Sequence, residues 1–241
     1  MSGDVSGRDS RQRPDGPAVR AYDGRLTEVG RLVDGRVTRL MAGLASGGAS
    51  AAASLAQLRA AVDREPGTVP AIWGLTIDGV PGRPVDDEPT AQERAVHAAL
   101  TLFAVHQQAR PQPMHQRGVG FGQAVARLEA QLLGPQARQS GHVSAVRRRF
   151  DAIATATTFP EAVHHLRGVV TQLRTASPPV PLDYGQLADD LFALQHPARV
   201  RSVRLRWARQ YYRIDNALSP EVGPHETQAT ESRPADKEQE S

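Results

Sequence analysis

The sequence contains no cysteine. Disulfide frameworks, thiol nucleophiles and thiolate-bound zinc or iron-sulfur centres are excluded together. Lysine is nearly missing as well: of 29 basic side chains only Lys237 is not an arginine. Aromatic residues make up 5% of the chain, and Ala, Leu and Val dominate the apolar set, a balance that favours helices and argues against an all-β protein. Long apolar runs are also missing. The uncharged stretch Ala95–Val105 is about half of what a bilayer span requires, and Met1–Arg13 has no hydrophobic segment of a signal peptide. The expectation is a soluble, cytoplasmic protein with no membrane partner.

What is present is charge, unevenly spread. The formal net charge of +3 is the sum of −2 over residues 1–93, +10 over residues 94–213 and −5 over residues 214–241. The central segment carries 16 arginines against six carboxylates, Glu129, Asp151, Glu161, Asp183, Asp189 and Asp190. Arginine binds phosphate with a planar fork and stacks on bases. A field of one sign concentrated in one part of a chain points to a polyanionic partner, most often nucleic acid.

The apolar pattern is helical almost throughout. Leu26, Val29, Val33, Val37, Leu40 and Leu44 recur at three and four behind Asp23 as cap, and Leu55, Leu58 and Val62 mark a second, shorter helix. Pro66 to Asp87 reads as loop, anchored by Ile72, Trp73 and Leu75. Thr90 and Glu93 have capping-box spacing ahead of Val96, Leu100 and Phe103; Thr158 and Glu161 repeat it ahead of Val163, Leu166, Val170 and Leu173. Between them, Gly118, Gly120 and Gly122 open a helix through Val125, Leu128 and Leu132, and Val143, Val146, Phe150 and Ile153 mark another. Asp183 and Gln186 begin a helix with Leu187 and Leu191, and after Pro197 a last one buries Val200, Val203, Trp207 and Tyr211. The fold class expected is all-α, an irregular bundle of about eight or nine helices over residues 21–214. Residues 1–20 and the acidic residues 215–241 have no apolar stripe and read as disordered tails.

No catalytic, metal or cofactor constellation assembles from the motifs. The glycines of Arg117–Gly122 follow no strand and precede no Lys-Ser/Thr pair, so they read as a flexible turn, with Arg117 close enough to touch a phosphate. Adjacent His164 and His165 diverge by about 100° on a helix and do not chelate together. Asp86, Asp87 and Glu88, and likewise Asp189 and Asp190, read as solvated surface. No Gly-x-Ser-x-Gly elbow occurs. The protein is therefore expected not to be an enzyme.

The arginines form a pattern of their own. On the last helix Arg199, Arg206, Arg209 and Arg213 group away from the apolar face; Arg148 and Arg149 lie outside the Phe150 stripe; Arg167 and Arg174, seven apart, share an edge. Six acids cannot neutralise sixteen arginines, so a shared phosphate-binding surface is expected, without sequence readout of its own. The competing reading is a free-standing helical DNA-binding transcriptional regulator whose last helix enters a major groove.

The segments Glu93–His106, Arg147–Phe150, His165–Arg167, Leu182–Leu191 and Val203–Tyr212, in that order, resemble the CasB family, the small subunit of the type I-E CRISPR Cascade antiviral surveillance complex. The resemblance covers residues 24–213. It implies an all-α, non-catalytic subunit that binds guide RNA and single-stranded or target DNA and stabilises the R-loop, including the displaced strand. It also implies two copies head to tail, alongside the backbone, large and guide-processing subunits. Matched residue by residue, the family's arginines fall on Arg94, Arg148, Arg149 and Arg167, of which charge patterning alone singles out the last three. The head, the acidic tail and the proline-rich loop before Asp87 depart from the family pattern.

Overall fold

The protein's structure, a computed structural model, describes residues 25–133 and 143–218. Among them the regular structure is helical: α1 (Glu28–Ala45), α2 (Ala49–Ala60), a 3-10 turn (Pro70–Ile72), α3 (Trp73–Thr76), α4 (Ala91–Gln107), α5 (Phe121–Leu132), α6 (Ala145–Thr155), α7 (Phe159–Thr175), α8 (Tyr184–Leu194) and α9 (Pro197–Leu218). The described residues form no sheet; one isolated bridge pairs His115 with Leu182. The fold is all-α. None of these helices is long and apolar enough to cross a membrane. The expected cap Asp23 and both tails, apart from the end of α9, lie outside the described residues.

Helix α4 is the centre of the bundle because its sequence has no polar side to turn outward. Past Arg94 it carries no carboxylate or arginine, and 12 of its 17 residues are buried. A helix apolar all round must be surrounded: α4 packs against α1, α2, α7 and α8. Its start is the capping box expected from sequence. Thr90 Oγ1 accepts from the Glu93 N–H at 3.1 Å, while the Glu93 carboxylate accepts from the Thr90 N–H at 2.7 Å. Two further pairs complete the body, α1 on α8 and α6 on α7, and α9 lies along α5.

Several local expectations change in three dimensions. The Thr158 hydroxyl caps α7 by accepting from Glu161 N–H, but the Glu161 carboxylate reaches Thr157 rather than Thr158, so the second box is half a box. In the expected loop, Ile72 is buried, whereas Trp73 stays 48% exposed and donates its indole N–H to the Gly67 carbonyl. Val143 is exposed and precedes α6 instead of joining its stripe. Gly120 and Gly122, at the start of α5, are close-packing positions and not parts of a flexible turn. A β-carbon at Gly122 would collide with the Trp207 carbonyl of α9, and one at Gly120 with Gln210 and Gln186. Of these three glycines, Gly118, with φ of +82°, is the one that requires glycine's conformational freedom itself.

Candidate nucleic-acid interface

Helix α6 begins where Ser144 accepts a hydrogen bond from the Arg147 N–H at 2.9 Å. Val146, Phe150 and Ile153 are buried at helical spacing, which sends the three consecutive arginines in different directions. Arg147 turns toward α9: its guanidinium lies 4.7 Å from the ring centre of Tyr211 and 5.4 Å from that of Tyr212, and it donates to the Tyr212 hydroxyl and to Asp151, each at 3.0 Å. Arg148 is exposed and donates to the Val143 carbonyl at 2.9 Å. Arg149 is exposed, with its stem alongside Gly168 of α7.

Helix α9 buries Val203, Trp207 and Tyr211, as the periodicity requires, with Val200 half-buried. Its outer face carries Arg201, Arg209 and Arg213 together with Leu205, 45% exposed, and Tyr212, 48% exposed. Arg199, at the start, lies 6.0 Å from the ring centre of Phe192 on α8. Arg149, Arg201, Arg209 and Arg213 have no hydrogen-bond or ion-pair partner among the described residues. Guanidinium groups interleaved with an exposed phenol ring are the elements that hold a single strand, phosphate to arginine and base to ring. The sequence reading does not select Arg201 or Tyr212. The available signal is helical spacing, since both fall outside the sector of Val203, Trp207 and Tyr211.

Arg94 and Arg167, distant in sequence, meet in one cleft of about 350 Å³ between the chain after α2, the first half of α4 and the start of α7. Arg94 donates to Gln195 at 2.9 Å and to the Pro89 carbonyl at 2.5 Å, while Arg167 pairs with exposed Asp63. His97, buried in the wall, donates from Nε2 to the Ala61 carbonyl at 3.2 Å, and burial holds its pKa below the ordinary value.

Besides Arg167, two more of the expected phosphate-binding arginines are tied to carboxylates. Arg206 does not share the open stripe of α9: it reaches inward to Asp190, which is 0% exposed and also accepts the indole N–H of Trp207 at 2.6 Å. Arg206 stands at the border of the buried sector, and the carboxylate it meets there belongs to α8. Arg117 makes a two-point contact with Asp34 of α1, at 2.8 and 2.6 Å, although its side chain remains largely exposed. That guanidinium, opposed by partial burial and aided by His115, holds the Asp34 carboxyl below its usual range. Arg174 donates to Gln108 at 2.8 Å.

Nor are Asp189 and Asp190 solvated surface. Both are buried, and desolvation raises both pKa values, that of Asp190 to about 6. Asp189 accepts from the backbone N–H groups of Thr27 at 2.9 Å and Gly30 at 2.7 Å, serving as a remote cap for α1. Asp189 is thus spent on the start of α1 and Asp190 on Arg206 and Trp207, while Asp34 and Asp63, from outside the central segment, pair with Arg117 and Arg167.

An all-α body whose outer face carries exposed arginines without ion-pair partners among the described residues is the class of protein that the structure defines. The chain belongs to a particular family within it: residues 54–212 match the model for the CRISPR-associated protein Cse2 family. Among solved structures it is similar to CasB from Thermobifida fusca, with 35% identity and a TM-score of 0.64, covering 78% of this chain and 99% of that one. Two Thermus thermophilus structures, one described as a CRISPR-associated protein of the Cse2 family and one as CasB, share the fold at 24% and 22% identity. Each has a TM-score of 0.54 and the same coverage. No curated protein sequence matches it.

Proposed function

We propose that the protein is a non-catalytic subunit of a type I-E Cascade surveillance complex, acting in the cytoplasm, where it binds guide RNA and target DNA through arginine contacts and slows collapse of the R-loop. Family membership supports the assignment to CRISPR defence. The observation that carries the mechanism is the set of exposed arginines on α6 and α9, Arg148, Arg149, Arg209 and Arg213, none of them in an ion pair among the described residues. Each phosphate neutralised releases condensed counterions, so such a surface binds strands without reading bases. The proposed partners are the backbone, large and guide-processing subunits and a second copy of this chain. The regulator reading is weaker, because α9 spends Trp207 and Tyr211 on the core.

The test is a reconstituted complex carrying Arg148→Ala, Arg149→Ala and Arg209→Ala. The expected result is a shorter-lived R-loop, with lower salt sensitivity of target binding and an unchanged helical circular dichroism signal. Unaltered R-loop lifetime and salt slope would refute the reading, as would a sequence-specific footprint made by the isolated chain.

A further inference from the structure

A second arginine cluster lies away from α6 and α9, at the end of the bundle where α1, α4 and α7 finish. A cleft of about 400 Å³ opens there, walled by Leu44, Leu55 and Pro111 and lined by Arg59 of α2, Gln108 and Arg110. Arg174 of α7 donates to Gln108 at 2.8 Å and so borders the same cleft. Arg110 and Arg174 both lie close enough to buried His106 to push its pKa down, after the larger effect of burial. Arg59 and Arg110 have no hydrogen-bond or ion-pair partner through their side chains among the described residues.

None of the residues lining the cleft is an aspartate or glutamate. The acid nearest to Arg59 along the chain after α2, Asp63, pairs with Arg167. Arg110 is held in place from the backbone side. Ala109 takes φ of +53°, a left-handed conformation that an L-residue adopts only when its surroundings impose it. Buried Gln107 donates to the Arg110 carbonyl at 2.9 Å, and the Arg110 N–H donates to the Gln107 carbonyl at 3.2 Å. Like charges that line and border one cleft, with no counter-charge among its lining residues, are stabilised by an anion between them.

We propose that Arg59, Arg110 and Arg174 form a phosphate-binding cleft that takes a backbone phosphate of a nucleic-acid strand. The inference rests on the reading of this protein as a nucleic-acid-binding subunit and extends its contact surface across α7. Arg174 stands six residues from Gly168, against which Arg149 lies, a rise of about 9 Å along the helix. The amides of Gln108 and Gln107 fix the arginines but do not select a base.

The experiment measures binding of the full chain to a fluorescein-labelled oligothymidylate as a function of salt, for the wild type, Arg59→Ala/Arg110→Ala, Arg59→Lys/Arg110→Lys and Arg148→Ala/Arg149→Ala. Loss of two phosphate contacts should lower the slope of log K against log salt by about 1.4, with the lysine pair keeping the wild-type slope. A slope unchanged in Arg59→Ala/Arg110→Ala but reduced in Arg148→Ala/Arg149→Ala overturns the cleft and leaves the proposed function standing. A slope unchanged in both overturns the proposed function itself. Circular dichroism and urea midpoints of each variant establish that the comparison is between folded chains.

Discussion

The carboxylate of Asp189 occupies the space that a β-carbon at Gly30 would need. In that position it accepts the Gly30 N–H at 2.7 Å and the Thr27 N–H at 2.9 Å, two of the donors that the first turn of α1 cannot satisfy internally. Thr27, although at the N-cap position, makes no cap with its own side chain and gives its hydroxyl to Asp189 as well. The start of α1 is thus completed from α8.

This pairing has a measurable signature. Asp189→Ala should destabilise the fold by about 2 kcal/mol, because it leaves buried N–H groups unpaired. Gly30→Ala should also destabilise it, by displacing the carboxylate. Since both changes break the same contact, the double variant should lose less than the sum, with a coupling of about 1 kcal/mol or more. Urea unfolding of the four proteins measures it, and strict additivity would show that the two residues act separately.

Arg206 and Arg209, three residues apart on α9, should separate stability from binding. Arg206→Ala abandons Asp190, a carboxylate with no solvent access, and should cost about 3–5 kcal/mol. Arg209→Ala removes an exposed group and should change stability by no more than about 0.5 kcal/mol, while lowering the salt slope of oligonucleotide binding by about 0.7. Equal effects of both variants on unfolding would contradict this division.

Burial of His106 against Tyr184, with Nδ1 and the phenol oxygen 2.9 Å apart, pushes its pKa from 6.5 to about 3. A base whose folded pKa is depressed stabilises the fold above its unfolded value, and that contribution is lost as pH falls from 6.5 toward 3. Between about pH 7 and about pH 5 this one group should withdraw about 2 kcal/mol of stability. Asp189 and Asp190, with raised pKa values, titrate in the opposite sense. The comparison is therefore wild type against His106→Asn at both pH values: the variant should lose about 2 kcal/mol less on acidification, and an identical loss would rule the histidine out.

Helices and their caps are readable in the sequence because their causes are local. The Thr90–Glu93 box lies within one turn, and Val203, Trp207 and Tyr211 declare a buried face by spacing alone. The half-box at Thr158 shows the limit of such reading, since the spacing that suits Glu161 to Thr158 also brings it to Thr157. Trp73 reads as an apolar anchor on residue type, yet its ring is left half in solvent once the Gly67 carbonyl satisfies its N–H.

By itself the sequence determined that the chain is helical, that its middle carries far more arginine than acid, and that thiol chemistry is absent, because periodicity and composition are properties of neighbours and sums. Which arginines stand open was decided only by the tertiary structure. Arg117 and Arg206 find Asp34 and Asp190 on other helices, while Arg59, Arg110 and Arg174 are gathered from three separate elements. Coulomb interaction falls with distance in space and is indifferent to distance along the chain, so the pairing of charges, and with it the surface offered to a partner, is settled by packing.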